Sequence, residues 1–413
     1  MISAQRQASA MAKEAAAQYH GSRRIKGLEV MNLKFASTIG EAEDPIALQE
    51  HFFAMGWTDG LPVVPPTPER VAEFLEASWL EPWDVICSIP TRNRTITAEK
   101  VAINCVMAGC LPSYMPVVIA ILEAMSEPAY RFHGAITSTG GSAPFVVVNG
   151  PIRQELAMNS GTNVFGPGNR ANATIGRAVR LIIMNVAGAQ PGVLDRSTQG
   201  HPGKYTFCIA EAEEVSPWEP LHVERGFDVN RSTVTVFAAE SAHGIQNHQS
   251  GDPEELLTCI SREIASIGAF SFGQSVLVLT PEHAKIVAKS GWDKKRVKEF
   301  LFENSTQTLA DLKRFGKLPA NFGDDFRRKG AEVVMERAGL SPEDIAALVE
   351  IGGRAEAGDN TKFSRGLRPD DILLIVAGGE AGGHSAFIPS WSRERASIFQ
   401  TKAIVQGCDV CSI

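Results

Sequence analysis

The sequence lacks a long uninterrupted apolar run and any excess of basic charge. Its longest apolar candidates, MPVVIAILEAM (115–125) and LIIMNVAG (181–188), fall short of the roughly 18 to 20 residues that a membrane-spanning helix needs. Its 40 Lys and Arg face 47 Asp and Glu, for a net charge of −7, and no basic cluster beyond the N-terminus could follow a row of phosphates. We therefore expect neither a membrane nor a nucleic acid as a partner.

Cysteine is also sparse. Seven cysteines, an odd number, are scattered over 413 residues, which is unlike the dense framework of a small disulfide-bonded protein. The first residues, MISAQRQASAMAKEAAAQYHGSRRIKG, are rich in Ala, Ser and Arg but contain no apolar segment of the secretory type. We predict a cytoplasmic protein in which residues 1–45 form a helical arm, either on the surface or in an oligomer contact.

A strand–proline–helix pattern occurs twice with the same spacing. PFVVVNG leads through Pro151 into IRQELAM, and QSVLVLT leads through Pro281 into EHAKIVAK. Each proline lies nine residues before a Ser-Gly pair, and KYTFCIAEAE in the first half resembles DILLIVAGGE in the second. A proline at a helix start is common in any α/β protein, which leaves coincidence as the alternative.

We favour an internal duplication. It predicts an α/β protein of two related βα-rich halves, residues 46–232 and 233–407, with mixed or parallel sheets covered by helices. A short tail, residues 408–413, would follow. In such a pair of halves the ligand site is expected in the crevice between them.

The first half contains an insertion that the second lacks. After Ser160-Gly161 it adds TNVFGPGNRAN before its next helix, whereas the second half proceeds directly to WDKKRVKEFLFEN. A glycine-rich loop that ends at a helix N-terminus favours an anion, because free N–H groups and the helix dipole point there. The alternative is a capping loop whose asparagines satisfy its own turns. The predicted substrate-binding residues are Gly166, Gly168, Asn169, Arg170, Asn172 and, from a neighbouring loop, His133.

Four further residues are candidates for acid–base chemistry. His201 and Lys204 precede one of the two matching strands, and Glu380 and His384 follow the other. Because ligand sites in α/β proteins collect at strand ends, we predict that these pairs face each other across the crevice as catalytic groups near neutral pH. Turn residues without a catalytic role are the alternative. Asp59 in WTDGLP is also read as a turn residue.

The sequence gives weaker indications of metal and thiol chemistry. His243, His248 and Asp252 share a loop, where solvated side chains are the favoured interpretation, and the presence of a metal is left open. The glycine spacings match neither a Walker nor a Rossmann motif, so no nucleotide cofactor is predicted. Cys408 and Cys411 form a CxxC at the end of the sequence, which could act in redox exchange or hold a soft metal.

Four segments resemble a large family of bacterial proteins. They are WTDGLPVVPPT, GPGNRANATIGRA, HPGKYTF and SPWEPLHVERGF, and the resemblance spans residues 50 to 400. Some members of that family are associated with a selenocysteine-Gly-Ser-cysteine redox motif. This chain lacks the Cys-Gly-Ser-Cys form and has only Cys408-Asp-Val-Cys411, so the resemblance implies no catalytic residue here.

Together these features favour an enzyme acting on a small anionic, carboxylate-bearing metabolite. Acid–base chemistry of the lyase, hydratase or hydrolase type fits the candidate residues, and the absence of a G-x-S-x-G motif argues against one class of serine hydrolase. The rival hypothesis is a thiol-based redox or soft-metal-handling protein that uses Cys408 and Cys411. A third is a non-catalytic subunit of a larger complex, and in each case we expect a homo-oligomer or a complex.

Overall fold

The computed structural model describes residues 33–41, 44–268, 270–317, 340–354, 358–391 and 397–405. From Phe35 onward the chain forms one compact unit. Of the predicted N-terminal helical arm (1–45), residues 33–41 and 44–45 are described, and of these only Pro45 is helical; the rest of the arm and the predicted tail (408–413) lie outside the described residues.

Helices and strands alternate along the described chain. The helices are α1 (Pro45–Ala54), α2 (Pro68–Ser78), α3 (Ala98–Ala108), α4 (Met115–Ser126), α5 (Phe132–Ile136), α6 (Ile152–Glu155), α7 (Arg170–Asn185), α8 (Leu221–Glu224), α9 (Pro253–Ser266), α10 (Pro281–Lys289), α11 (Lys294–Asn304), α12 (Leu309–Arg314) and α13 (Pro342–Arg354). The strands are β1 (Val85–Ile89), β2 (Arg94–Thr97), β3 (Ala143–Asn149), β4 (Cys208–Ala210), β5 (Thr233–Ala239), β6 (His243–Gln246), β7 (Ser275–Leu279), β8 (Thr306–Thr308), β9 (Lys362–Ser364), β10 (Ile372–Val376), β11 (His384–Pro389) and β12 (Gln400–Ala403).

Several helices begin where the sequence provides a cap followed by proline. Asp44 accepts hydrogen bonds from the first-turn amides of α1, and Asp252 does the same for α9. Thr67 caps α2 in front of Pro68, as the sequence predicts. A side-chain oxygen satisfies amides that have no partner within the helix, and a proline at the first position has no N–H to lose.

Two four-stranded mixed sheets form the centre of the fold. In the first, β3 pairs in parallel with β4 and antiparallel with β5, and β12 pairs antiparallel with β5. In the second, β7 pairs in parallel with β10 and antiparallel with β11, and β6 pairs antiparallel with β11. Two small antiparallel pairs, β1 with β2 and β8 with β9, lie apart from these sheets. The predicted α/β class with mixed sheets is confirmed.

The two sheets have the same order of strands and the same strand directions. The chain crosses from the first sheet to the second between β5 and β6, and it crosses back between β11 and β12. The sequence-based boundary at 232/233 therefore assigns β5 to the second half although its hydrogen bonds are to β3. Matching order is what a duplication would produce, and the duplication itself stays a prediction.

The sheets pack face to face through apolar side chains. In β3, Phe145 and Val147 point into a cluster shared with β7, β10 and β11, whereas Val146 and Val148 point toward α3, α4 and α7. In β7 the alternation is the same, with Leu277 facing α9, α10 and α11. Side chains alternate between the faces of a strand, so β3 and β7 are buried on both sides. The result is four layers, in the order helices, sheet, sheet, helices.

Gly176 of α7 allows that helix to lie against the entry to β4. A Cβ atom at this position would stand 2.9 Å from the amide nitrogen of Phe207 and closer still to the Thr206 hydroxyl. In α13, no atom of the described residues lies within 4 Å of the corresponding position at Gly353. Gly176 and Gly353 therefore make a matched pair for testing the effect of an added methyl group.

We predict that Gly176→Ala lowers the free energy of unfolding by about 1–3 kcal/mol, because the added methyl group must displace backbone. Gly353→Ala is expected to leave stability unchanged or raise it by up to about 1 kcal/mol through helix propensity. Urea unfolding followed by circular dichroism measures both. Equal stabilities for the two variants would contradict the close packing of α7 against β4.

Candidate functional site

The glycine-rich loop, residues 159–169, is held by the side chains of its own asparagines. Asn169 caps α7 by accepting the amide of Asn172 at 3.0 Å. The Asn172 side chain donates to the carbonyl of Asn159 (2.8 Å) and accepts that residue's amide (3.0 Å), while Asn163 donates to the carbonyl of Pro167 (2.8 Å). These amides shape the loop, as the capping alternative predicts, and binding of an anion at Gly166 and Gly168 stays a prediction.

Arg170 follows the loop and reaches across to the end of α3. Its Nε donates to the carbonyl of Gly109 at 3.0 Å and one terminal nitrogen donates to that of Cys110 at 3.4 Å. The side chain is exposed, and in the described part of the chain its other guanidinium donors have no partner. Part of the Arg170 guanidinium, which the sequence assigns to an anion, therefore bonds to the carbonyls that follow α3, and its remaining N–H groups stay available.

The loop contacts both groups of predicted catalytic residues. On one side, Ser160 accepts the amide of Gly378 at 2.8 Å, which brings the Glu380 segment against the loop. On the other, the ring of Phe165 lies 6.0 Å from that of Phe207, and the Phe207 ring lies 5.8 Å from His201. The glycine-rich loop is thus the element that the two groups share.

His201 and Lys204 belong to a buried charged cluster with Asp195 and Arg180. The Lys204 ammonium lies 2.7 Å from Asp195 Oδ2 and donates to Ser197 Oγ at 2.8 Å and to the carbonyl of Ser142 at 3.2 Å. Arg180 lies 3.6 Å from the same carboxylate oxygen. Lys204 uses all three of its donors, so it positions Asp195 and adds positive charge rather than serving as a free base.

Burial acts against every charge in this cluster. It lowers the pKa of Lys204 and Arg180, with Asp195 opposing the shift in each case. Burial also works against ionised Asp195, but hydrogen bonds from Lys204 and Ser197 outweigh it and lower the pKa of that carboxyl. Two cations and one anion result, an excess of one positive charge in a low-dielectric setting where it acts strongly.

His201 is held in one tautomer. Its Nδ1 accepts the amide of Gly203 at 3.2 Å, so in the neutral ring the proton is on Nε2. That Nε2 is buried and has no hydrogen-bond partner among the residues described. Burial lowers the pKa of the ring, with the backbone of Gly141 opposing and Lys204 adding to the shift. A neutral imidazole is the consequence, whose Nε2–H lies near the backbones of Gly141 and Ala239 but makes no regular hydrogen bond within the described residues.

His133 lies in α5 and not in a loop as the sequence predicts, and the 137–142 segment that follows it contacts this cluster. Trp391 Nε1 donates to Ser138 Oγ at 2.7 Å, and Ser197 Oγ donates to the carbonyl of Gly140 at 3.1 Å, which joins the 137–142 segment to the 195–204 loop. The Nδ1 atom of His133 is buried and, within the described ranges, has no partner; the same holds for Tyr130 Oη and Arg180 Nε. Buried polar atoms are usually paired, and unpaired ones at one place point to a functional site.

Glu380 and His384 occupy a different position from the one predicted. His384 begins β11 and faces His248 edge-on, with 5.0 Å between ring centres. His201 lies near the other end of β11. Its ring packs against Gly141, just before β3. Ala239, which pairs with the first residue of β3, forms a β-bridge with Ser390, the residue after β11. Direct partnership between His201 and His384 is therefore not found in the structure. The Glu380 side chain is exposed.

Asp59 has a structural partner that the sequence does not indicate. Its two carboxylate oxygens each lie 2.8 Å from a nitrogen of Arg177, and only 3% of its side chain is exposed. Arg177 also donates to the carbonyls of Leu61 and Pro62. This fork fixes the WTDGLP segment on α7.

A second buried polar group lies where the parallel strands β3 and β4 end. Asn149 donates to Glu211 at 2.6 Å and to Glu213 at 2.9 Å, and Arg153 pairs with Glu213 at 2.8 Å. His222 is buried beside them. Sequence reasoning missed this group, although the acidic run EAEE directly after a buried strand was the available signal.

The metal and thiol hypotheses receive no structural support from the described chain. Within those residues no group of three or more His, Cys, Asp or Glu is arranged to hold a metal ion. Asp252 caps α9 instead of joining His243 and His248. Cys408 and Cys411 lie outside the described residues.

Comparison with protein-family models, with curated proteins and with solved structures gives no match. Among the described helices, none combines the length and the apolar character required to cross a bilayer.

Glu211 makes the stability of the fold depend on pH. Burial raises the pKa of this carboxyl above its ordinary value of 4.5, with Lys294 opposing the shift. The folded state therefore keeps a proton that the unfolded chain releases, and this group lowers the free energy of unfolding as pH rises above about 4.5.

We predict that Glu211→Gln, which cannot ionise, gains stability relative to the wild type as pH increases from 4.5 toward neutrality. The gain is about 1.4 kcal/mol for each pH unit over which the folded carboxyl stays protonated. Chemical unfolding at a series of pH values measures the difference. Glu76→Gln, at an exposed position of α2, is the control, and parallel curves for Glu211→Gln and the wild type would contradict the argument.

Proposed function

We propose that this protein is an enzyme that binds a small carboxylate-bearing metabolite between the glycine-rich loop and the Lys204 cluster, and that His201 transfers a proton to or from it. The observation that carries the proposal is the unpaired Nε2–H of His201, placed beside a buried excess of positive charge. A carboxylate accepts hydrogen bonds and is attracted by that charge.

The surrounding groups fit a small substrate. Phe165, 41% exposed, and the more buried Phe207 supply an apolar wall beside His201. Arg180 and Lys204 supply positive charge that favours the anionic substrate and the negative charge that develops when a proton leaves carbon next to a carboxylate. Chemistry of the lyase or hydratase type needs this combination and requires no nucleotide.

Lys204 and Asp195 act as positioning residues in this proposal. Since the ammonium has three acceptors around it, its removal would leave the buried Asp195 with its hydrogen bonds from Ser197 and with the more distant Arg180 as its cationic partner. The charge excess and the 195–204 loop both depend on that pair. His201 is the catalytic residue in this proposal, because its Nε2–H, itself buried, has no regular hydrogen-bond partner among the described residues, while the ring as a whole is partly exposed.

A panel of short hydroxy-, keto- and dicarboxylates, followed by ¹H NMR, tests the proposal on the full chain. Conversion of at least one of them is expected, and His201→Gln should lower its rate about 10²- to 10⁴-fold, the usual contribution of a general acid or base. His51→Gln, on the exposed face of α1, is the matched control.

Binding is checked separately from turnover. In ¹³C-edited spectra of the histidine rings, the His201 signal is the one that disappears in His201→Gln, and it should shift when a bound carboxylate accepts its proton. A panel that moves no His201 signal and yields no product would refute the proposal. Turnover that persists in His201→Gln would refute the assigned role.

A further inference from the structure

A cavity of about 230 Å³ lies beyond the residues discussed above for the proposed function. Its lining comes from α8 and the residue after it, from α11, from the start of β10 and from the segment before β12. The lining residues are Leu221, Glu224, Arg225, Lys298, Asp370, Leu373 and Phe399. Pockets for drug-sized molecules measure roughly 300–1,000 Å³, so this one suits a molecule of only a few heavy atoms.

Positive charge prevails at the cavity. Glu224 is bound by two lysines of α11, Lys294 at 3.0 Å and Lys298 at closer range, so its charge is more than compensated. Both lysines are buried, whereas 85% of the Asp370 side chain is exposed and water screens its charge. The lining itself balances two cations, Arg225 and Lys298, against two carboxylates, and Lys294, which binds Glu224 from outside the lining, adds one further positive charge on the buried side.

Arg225 has hydrogen-bond donors to offer. Its guanidinium lies 4.4 Å from the centre of the Phe399 ring, a stacking contact that orients the planar group and leaves its N–H edges unused. No hydrogen bond or ion pair joins that guanidinium to another residue in the described ranges. The fork of two parallel N–H groups matches a carboxylate.

The rest of the wall is apolar. Leu221, Leu373 and Phe399 border the same space, each with only a small accessible area, so a short part of an occupant rests against hydrocarbon. A purely inorganic anion would leave that surface unused, and a cation would meet the uncompensated positive charge. A single negative charge with a short apolar tail satisfies both parts of the wall.

We propose that this cavity is a binding site for a small aliphatic monocarboxylate, whose carboxylate Arg225 and Lys298 hold and whose chain packs on Leu221, Leu373 and Phe399. The site is separate from the one around His201 and does not depend on the proposed function. It gives the protein a second place at which a metabolite of the same charge can bind.

Isothermal titration calorimetry of the full chain with butyrate tests this site. As partial probes, 1-butanol has the apolar tail without the charge, and inorganic phosphate has the charge without the tail. Butyrate should bind and the two partial probes should bind at least tenfold more weakly. Arg225→Gln is expected to weaken butyrate about 10- to 100-fold, the range for losing a hydrogen bond to a charged group. Arg225→Lys should fall between the two.

Two controls keep the outcomes distinct. Arg262→Gln, an exposed arginine of α9, should bind butyrate like the wild type. Binding that His201→Gln abolishes and Arg225→Gln spares would place butyrate at the glycine-rich loop and overturn the inference. So would a wild-type protein that binds no butyrate, or one that binds phosphate as tightly. Because Arg225 is exposed, Arg225→Gln is expected to fold, which its circular dichroism verifies.

Discussion

The apolar layer between the two sheets is the contact on which the rest of the structure depends. Phe145, Phe237 and Ile375 are buried in it, together with valines and leucines from both sheets. The chain passes from one sheet to the other after β5 and after β11. At these two points Ala239 and Ser390 form a β-bridge, so the sheets are joined by backbone hydrogen bonding as well as by side-chain packing. Hydrophobic burial and chain connectivity therefore enforce the same arrangement.

This layer excludes a polar site from the middle of the molecule. The predicted crevice between halves is filled by apolar side chains where the sheets face each other, and the charged groups described above lie outside this layer. The Lys204 cluster lies beside the start of β3, the Glu211 group lies at its other end, and the Arg225 cavity lies beside the start of β10. At each place oppositely charged side chains lie together, which offsets part of the cost of burying them.

The sequence predicts the elements well and their partners less well. Alternating strands and helices, proline starts and the Thr67 cap follow from local chemistry, and the mixed sheets follow from the pattern of strands. Local signals do not reveal that β5 and β12 belong to one sheet, since this depends on pairing across more than 160 residues. In the same way, neither Asp195 beside Lys204 nor Arg177 beside Asp59 is visible from spacing. The glycine-rich loop was located correctly, while its asparagines proved to bond within it.

Net charge and local charge have separate consequences in this molecule. The chain carries −7 overall, which argues against a polyanionic partner that would cover a large surface. Surface charges are screened beyond about 8 Å at physiological ionic strength, whereas charges buried near Arg180 or Lys298 are screened far less. A small anion that enters either place is therefore subject mainly to the nearby excess of cations. The two proposed anion-binding sites are therefore compatible with a negative net charge, since the affinity for a small anion depends on the few charged side chains that it contacts after displacing water.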